Sequence, residues 1–215
     1  IITLLVFTWH VYNKKCRVDK YDKYGNNGLM SDKQKRFSRT LEDMADILDA
    51  NKLSYFLYAG TALGCHREGT FIEHDLDIDL GMEEDIFRRL EDLTPVITEG
   101  EERKFRLKDF FPEEGKKTEL CFLHLDTGVK IDIFKVDKSS EKYTHYTYTG
   151  PCNERPNRRC EYSNRFDFIW KEFMGRIYRV PSTDFLESHY GNDWKVLKDY
   201  SYQESITDGH IKSLL

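Results

Sequence analysis

Three aspartates at every second position carry the chemistry of this chain most openly. Asp75, Asp77 and Asp79 alternate with Leu76, Ile78 and Leu80 inside the stretch Tyr58 to Met82, YAGTALGCHREGTFIEHDLDIDLGM. In a strand, that alternation puts three carboxylates on one face and three aliphatic side chains on the other. Like charges on one strand face repel each other and add nothing to a core. A hard divalent cation, Mg²⁺ or Mn²⁺, reverses the sign, because it is held by carboxylates together with phosphate oxygens. An edge strand with a solvated acidic face would show the same pattern, so the alternation alone leaves both readings open.

Two neighbouring features bear on that choice. Gly60-Thr61 and Gly64 follow a short apolar run; glycines there let the backbone approach a ligand, and successive N–H groups can cradle a phosphate. Gly60 could equally just end a strand. Further on, Asp132 sits between Ile131 and Ile133 in Val129 to Phe134, and a carboxylate in an apolar strand is costly unless compensated. A metal shared with Asp77 and Asp79 would compensate it; so would an ion pair with a lysine. Arg67, six residues past Thr61, could fork onto a phosphate or simply face solvent. His66 and His74 read as structural or exposed, and Arg155, Arg158 and Arg159 as a solvated basic cluster.

The elements that must position these groups follow from periodicity. Phe37, Leu41, Met44 and Leu48 mark one face of a helix over Ser31 to Asn51, with Ser31 as N-cap. Ser54 to Ala59 reads as a buried strand, and Ile78 and Leu80 flank the acidic positions of a second. Glu83 to Leu93 reads as a helix ending before Pro95. Leu120 to Leu125 and Val129 to Val136 form a hairpin through Asp126-Thr127-Gly128. Residues 138–165 read as a long loop, and Pro181 as the opening of a last helix that stops at Gly191. The mixture predicts an α+β domain built on a small mixed sheet.

Composition bounds the class. The 215 residues carry Lys+Arg 33 against Asp+Glu 38, a formal net charge of −5, with 14% aromatic residues. The aromatics argue for a packed core, and the missing basic excess argues against a nucleic-acid partner. Residues 1–30 read as an apolar segment, Ile1 to Tyr12, followed by a polar linker. The apolar part is too short to span a bilayer alone and reads as an anchor remnant or a first packed element. Five cysteines without a CxxC pair give no zinc ribbon, and Cys152 with Cys160 brackets a loop that a disulfide could close.

GTALGCHREGTFIEHDLDIDLGM resembles the signature block of the LicD family, which includes bacterial phosphocholine transferases and animal fukutin-type proteins. Ile131-Asp132-Ile133-Phe134 is similar to the family's IDIF strand, and Val180-Pro181 with His189-Tyr190-Gly191-Asn192-Asp193-Trp194 to its tail. His74 and the Cys65-His66 pair depart from the common pattern. The resemblance implies a polymerase-β-like nucleotidyltransferase fold over 31–215. It also implies transfer of a phospho-alcohol group from a CDP-activated donor to a glycan hydroxyl, with Mg²⁺ or Mn²⁺ on Asp77, Asp79 and Asp132. Gly60, Thr61 and Arg67 would contact the donor phosphates. The implied setting is the Golgi or another secretory-pathway membrane, with the cytoplasm as alternative. The competing expectations are a DxD glycosyltransferase using a nucleotide-sugar, or a non-catalytic member that binds a glycan or partner.

Overall fold

The computed structural model describes residues 30–113, 116–138, 143–147, 158–161 and 167–197. The first helix, α1 (Asp32–Ala50), begins where Ser31 Oγ accepts from Gln34 N at 3.2 Å, satisfying one of the N–H groups a helix start leaves open. Phe37, Leu41, Met44 and Leu48 are all buried, so the expected apolar stripe is the face that packs. The same helix steadies the approach to the acidic stretch. Gln34 exchanges two hydrogen bonds with the backbone of Phe71, and Lys33 donates to the carbonyls of Ile72 and Glu73.

The next elements are β1 (Phe56–Leu57), α2 (Ala59–Arg67), β2 (Asp77–Glu83) and α3 (Glu84–Glu99). Three sequence expectations are corrected here. The buried strand is only two residues long, because a helix starts at Ala59. Asp75 precedes β2 rather than lying in it. α3 continues through Pro95 to Glu99, since proline withdraws one N–H while Leu90, Thr94 and Ile97 keep the buried face intact.

β3 (Phe105–Glu113), β4 (Lys116–His124) and β5 (Lys130–Lys138) follow. Gly128 adopts φ 67° in the β4–β5 turn, a left-handed conformation that glycine takes without steric cost. β6 (Tyr143–Thr147) and β7 (Arg158–Glu161) extend the sheet into what the sequence suggested was loop. Their residues alternate too irregularly to reveal a strand; pairing of β6 with β5 and of β7 with β6 supplies the order. β8 (Phe168–Phe173) and β9 (Arg176–Pro181) form a separate hairpin, and α4 (Thr183–Tyr190) closes the described chain. Pro181 therefore ends a strand, and Ser182 stands at the helix start. Gly191 stops that helix, with φ 86°.

The main sheet runs β1-β2-β5-β4-β3, with β6 attached to β5 and β7 to β6. β2 and β5 are parallel; β4 is antiparallel to both β5 and β3. Ile78, Leu80, Leu120, Phe122, Ile131 and Ile133 are fully buried on the side where α1 and α3 contact the sheet. Burying each such side chain contributes about 1.5–3 kcal/mol. Gly81 belongs to this packing in a different way, since a Cβ there would come within 2.3 Å of the Phe56 ring. The mixed α+β architecture agrees with the sequence reading. Residues 1–29 and 198–215, Cys152 and Arg155, and hence the anchor, the loop disulfide and part of the basic cluster, lie outside the described residues. Among the described residues no helix is long and apolar enough to cross a membrane.

Candidate active site

The face of the sheet opposite that apolar layer gathers the acidic residues. Parallel pairing puts Asp77 opposite Lys130 and Asp79 opposite Asp132. Antiparallel pairing sets Cys121 opposite Asp132, and Glu119, two residues from Cys121, shares its face. Three neighbouring strands therefore present Asp77, Asp79, Lys130, Asp132, Cys121 and Glu119 together.

Asp79 is the best-anchored member. Gly60 N donates to its Oδ2 at 3.0 Å, its own N donates to Thr61 Oγ1 at 2.9 Å, and its carbonyl accepts from Tyr58 N at 3.0 Å. Ala59, between these partners, has φ 36°; such left-handed backbone in a residue with a Cβ costs energy and clusters at functional sites. The contact leaves no room for a side chain at Gly60, where a Cβ would lie 2.9 Å from Asp75 Oδ2 and 3.2 Å from Asp79 Oδ2. Gly60 and Thr61 thus form the first turn of α2 rather than an open loop, and their visible work is to hold a carboxylate.

The electrostatics are strained. Burial raises the Asp79 pKa well above its ordinary value, and Asp77, Asp132 and Asp75 add to the rise; the Gly60 N–H opposes it. Asp75 is pushed up to about 6 by burial and then by Asp77. Asp132 is raised by burial, against relief from Lys130 and from the Cys121 thiol. Its Oδ1 is buried with no hydrogen-bond partner, a situation that costs about 1–3 kcal/mol and calls for explanation. Glu119, only 8% exposed, is pushed up to about 9 by burial and by Asp132. Like Lys130, it is a site residue that sequence reasoning did not name. Its position two residues before Cys121, in a strand whose alternate residues Leu120 and Phe122 are apolar, was the available signal.

Both compensators weighed for Asp132 bear on this geometry. Lys130 Nζ lies 2.8 Å from Asp77 Oδ2 and 3.7 Å from Asp132 Oδ2, so the ion-pair reading has a physical counterpart. Burial opposes the lysine's charge, but Asp132 and Asp77 outweigh it and raise its pKa. Among the described residues, no group of three His, Cys, Asp or Glu side chains is set to hold a metal ion. One ammonium among Asp75, Asp77, Asp79 and Asp132 still leaves an excess of negative charge. An all-oxygen donor set with an unpartnered buried oxygen fits the chemistry of a hard divalent cation.

Arg67 stands apart from this group. It is seven residues and about 10 Å along α2 from Gly60, where its guanidinium pairs with Glu68 Oε1 at 2.7 Å and reaches the Trp194 carbonyl at 3.5 Å. A role on a donor phosphate would require those contacts to open. His66 donates from Nε2 to the Pro181 carbonyl at 2.8 Å and meets the Trp194 ring edge-on, a structural use; burial lowers its pKa. His74 is exposed.

A family model described as LicD/FKTN/FKRP, nucleotidyltransferase domain, matches residues 52–183. The chain belongs to the LicD family. That match includes Asp77, Asp79 and Asp132 and all the strands that carry them. Among curated LicD-family relatives, the mouse protein named ribitol-5-phosphate transferase FKTN is 28% identical over 177 residues, covering 80% of this chain and 36% of that one. The human protein of the same name is 24% identical over 176 residues, with the same coverage. An uncharacterized Caenorhabditis elegans protein is 28% identical over 179 residues, covering 78% of this chain and 45% of its own. The chain thus spans less than half the length of these relatives. A crystal structure of ANT(2")-Ia in complex with adenylyl-2"-tobramycin aligns with a TM-score of 0.45 at 15% identity, over 71% of this chain and 73% of that one.

Proposed function

We propose that this LicD-family domain transfers a phospho-alcohol group from a CDP-activated donor to a glycan hydroxyl. The observation that carries the reading is the register match of Asp79 with Asp132 on adjacent parallel strands, inside a matched nucleotidyltransferase domain. Phosphoryl transfer asks mainly for positioning and charge neutralisation, and a carboxylate pair on rigid neighbouring strands is suited to both. The relatives named ribitol-5-phosphate transferase make ribitol 5-phosphate the first alcohol to test, ahead of phosphocholine or glycerol phosphate.

Asp77, Asp79 and Asp132 would hold Mg²⁺ or Mn²⁺. When bound, the ion neutralises charge on the donor diphosphate and favours departure of CMP. The chain's own residues supply the rest. Gly60 and Thr61 fix Asp79, so its carboxylate is aimed before substrate arrives. The acceptor hydroxyl forms the new P–O bond as the bond to CMP breaks. Its proton passes to the carboxylate of Asp132, on the strand beside Asp79. A Golgi or other secretory-pathway membrane setting belongs to this reading, and imaging of tagged full-length protein tests it.

The deciding experiment measures thermal stability with Mg²⁺ plus CDP-ribitol, CDP-choline, CDP-glycerol or UDP-sugars. A ligand at 100 times its Kd stabilises by about 2.7 kcal/mol. A shift with a CDP-alcohol supports the proposal. A shift with UDP-sugars alone would favour a DxD glycosyltransferase, and no shift with any donor a non-catalytic binding role.

A further inference from the structure

One charged residue at the centre of the acidic face has no part in the scheme above. Lys130 is the register partner of Asp77 on the parallel strand and stands two residues before Asp132. Its Nζ bridges the two carboxylates, 2.8 Å from Asp77 Oδ2 and 3.7 Å from Asp132 Oδ2. These are two of the three side chains that an arriving divalent ion would need, and an ammonium fixed beside them opposes a second cation by like-charge repulsion. The lysine side chain is 30% exposed, on a flexible four-carbon stem, so its head can swing toward water without disturbing the strand. Asp79 needs no such partner, because Gly60 already fixes its Oδ2.

We infer that Lys130 is a built-in placeholder cation that keeps Asp77 and Asp132 aligned until a divalent ion binds and must then yield them. The inference rests on the metal-dependent reading proposed above. Lys130 is a positioning residue in this scheme, acting through the carboxylates rather than on substrate. It fits the position of Lys130, within ion-pair reach of both carboxylates at the centre of an otherwise acidic cluster.

Calorimetric titration of the full chain with Mn²⁺ alone tests this, comparing wild type, Lys130→Met and Lys130→Arg. Removing a competitor worth one partly exposed ion pair should tighten Mn²⁺ binding about fivefold in Lys130→Met. Lys130→Arg, which keeps the charge, should bind no tighter than wild type. Equal or weaker binding by Lys130→Met, with wild type binding normally, overturns the placeholder and leaves the metal site standing. Absence of Mn²⁺ binding in folded wild type overturns both. A measurement on the unaltered protein guards against a misfolded variant: Mn²⁺ should make the Lys130 amine react severalfold faster with an acylating reagent, read by mass spectrometry. Unchanged or slower labelling would equally reject the idea.

Discussion

Two clusters of charge lie on opposite faces of the same sheet, and they have been treated in opposite ways. On the helix-covered side, Asp43 of α1 meets His124 at the end of β4. His124 Nε2 donates to Asp43 Oδ2 at 3.0 Å, and its Nδ1 accepts from the N–H groups of Asp126 and Thr127. Lys104 adds an ion pair at 2.5 Å and Arg39 a longer one. Burial pushes the Asp43 pKa up, but His124 and Lys104 outweigh it and hold it below the ordinary value. On the other side, Asp75, Asp79, Asp132 and Glu119 are all held above theirs. The first cluster locks a helix to a hairpin. The second keeps like charges together at a cost to the fold, a pattern of shifted carboxyls that is concentrated at functional sites.

Neutralising each cluster should therefore have opposite consequences. Asp79→Asn and Asp132→Asn should lower transfer at least about 10³-fold while leaving the thermal midpoint equal or higher; near-normal activity in either removes the assignment. Asp43→Ala should do the reverse. It strands His124 and Lys104, and should cost about 3 kcal/mol in a denaturant titration with little effect on donor affinity.

A smaller effect is expected at Glu119. Its pKa is raised from 4.5 to about 9, so its contribution to stability is full below the lower value and lost as pH rises through that window. Asp43, with a lowered pKa, contributes above the ordinary carboxylate range and loses that contribution as pH falls. Glu119→Gln should flatten the alkaline decline and gain about 1 kcal/mol at pH 8, roughly 2–4 °C in midpoint. An unchanged pH profile would show that Glu119 is not held protonated. The mildest prediction is Thr61→Val, which leaves the Asp79 N–H without Oγ1 and should cost about 1 kcal/mol; a loss of donor affinity beyond that would mark Thr61 as a direct phosphate contact.

Much of the working face could be read from one sequence because strands impose a period of two. Asp77, Asp79 and Asp132 each sit among β-branched or aliphatic neighbours, so direction followed from alternation. Periodicity does not say which strand lies beside which, and Lys130 and Glu119 enter the site only through pairing of β5 with β2 and β4. Ser54 to Ala59 reads as one strand because the left-handed turn at Ala59 leaves no local signature in an alanine. Pro95 misled for a different reason: a proline's local penalty was outweighed by the buried face on either side of it. β6 and β7 were invisible because their order comes from an existing sheet edge.

The β4–β5 turn gives a last consequence. Adjacent strands lie about 4.8 Å apart, and which side chains face each other across that gap is decided by the length of the connection through Asp126, Thr127 and Gly128. Inserting a single residue there would rotate Ile131 or Ile133 into the place of Asp132 and drive the carboxylate into the hydrocarbon layer. The spacing of the acidic side chains is thus counted out by a short bend at the end of two strands.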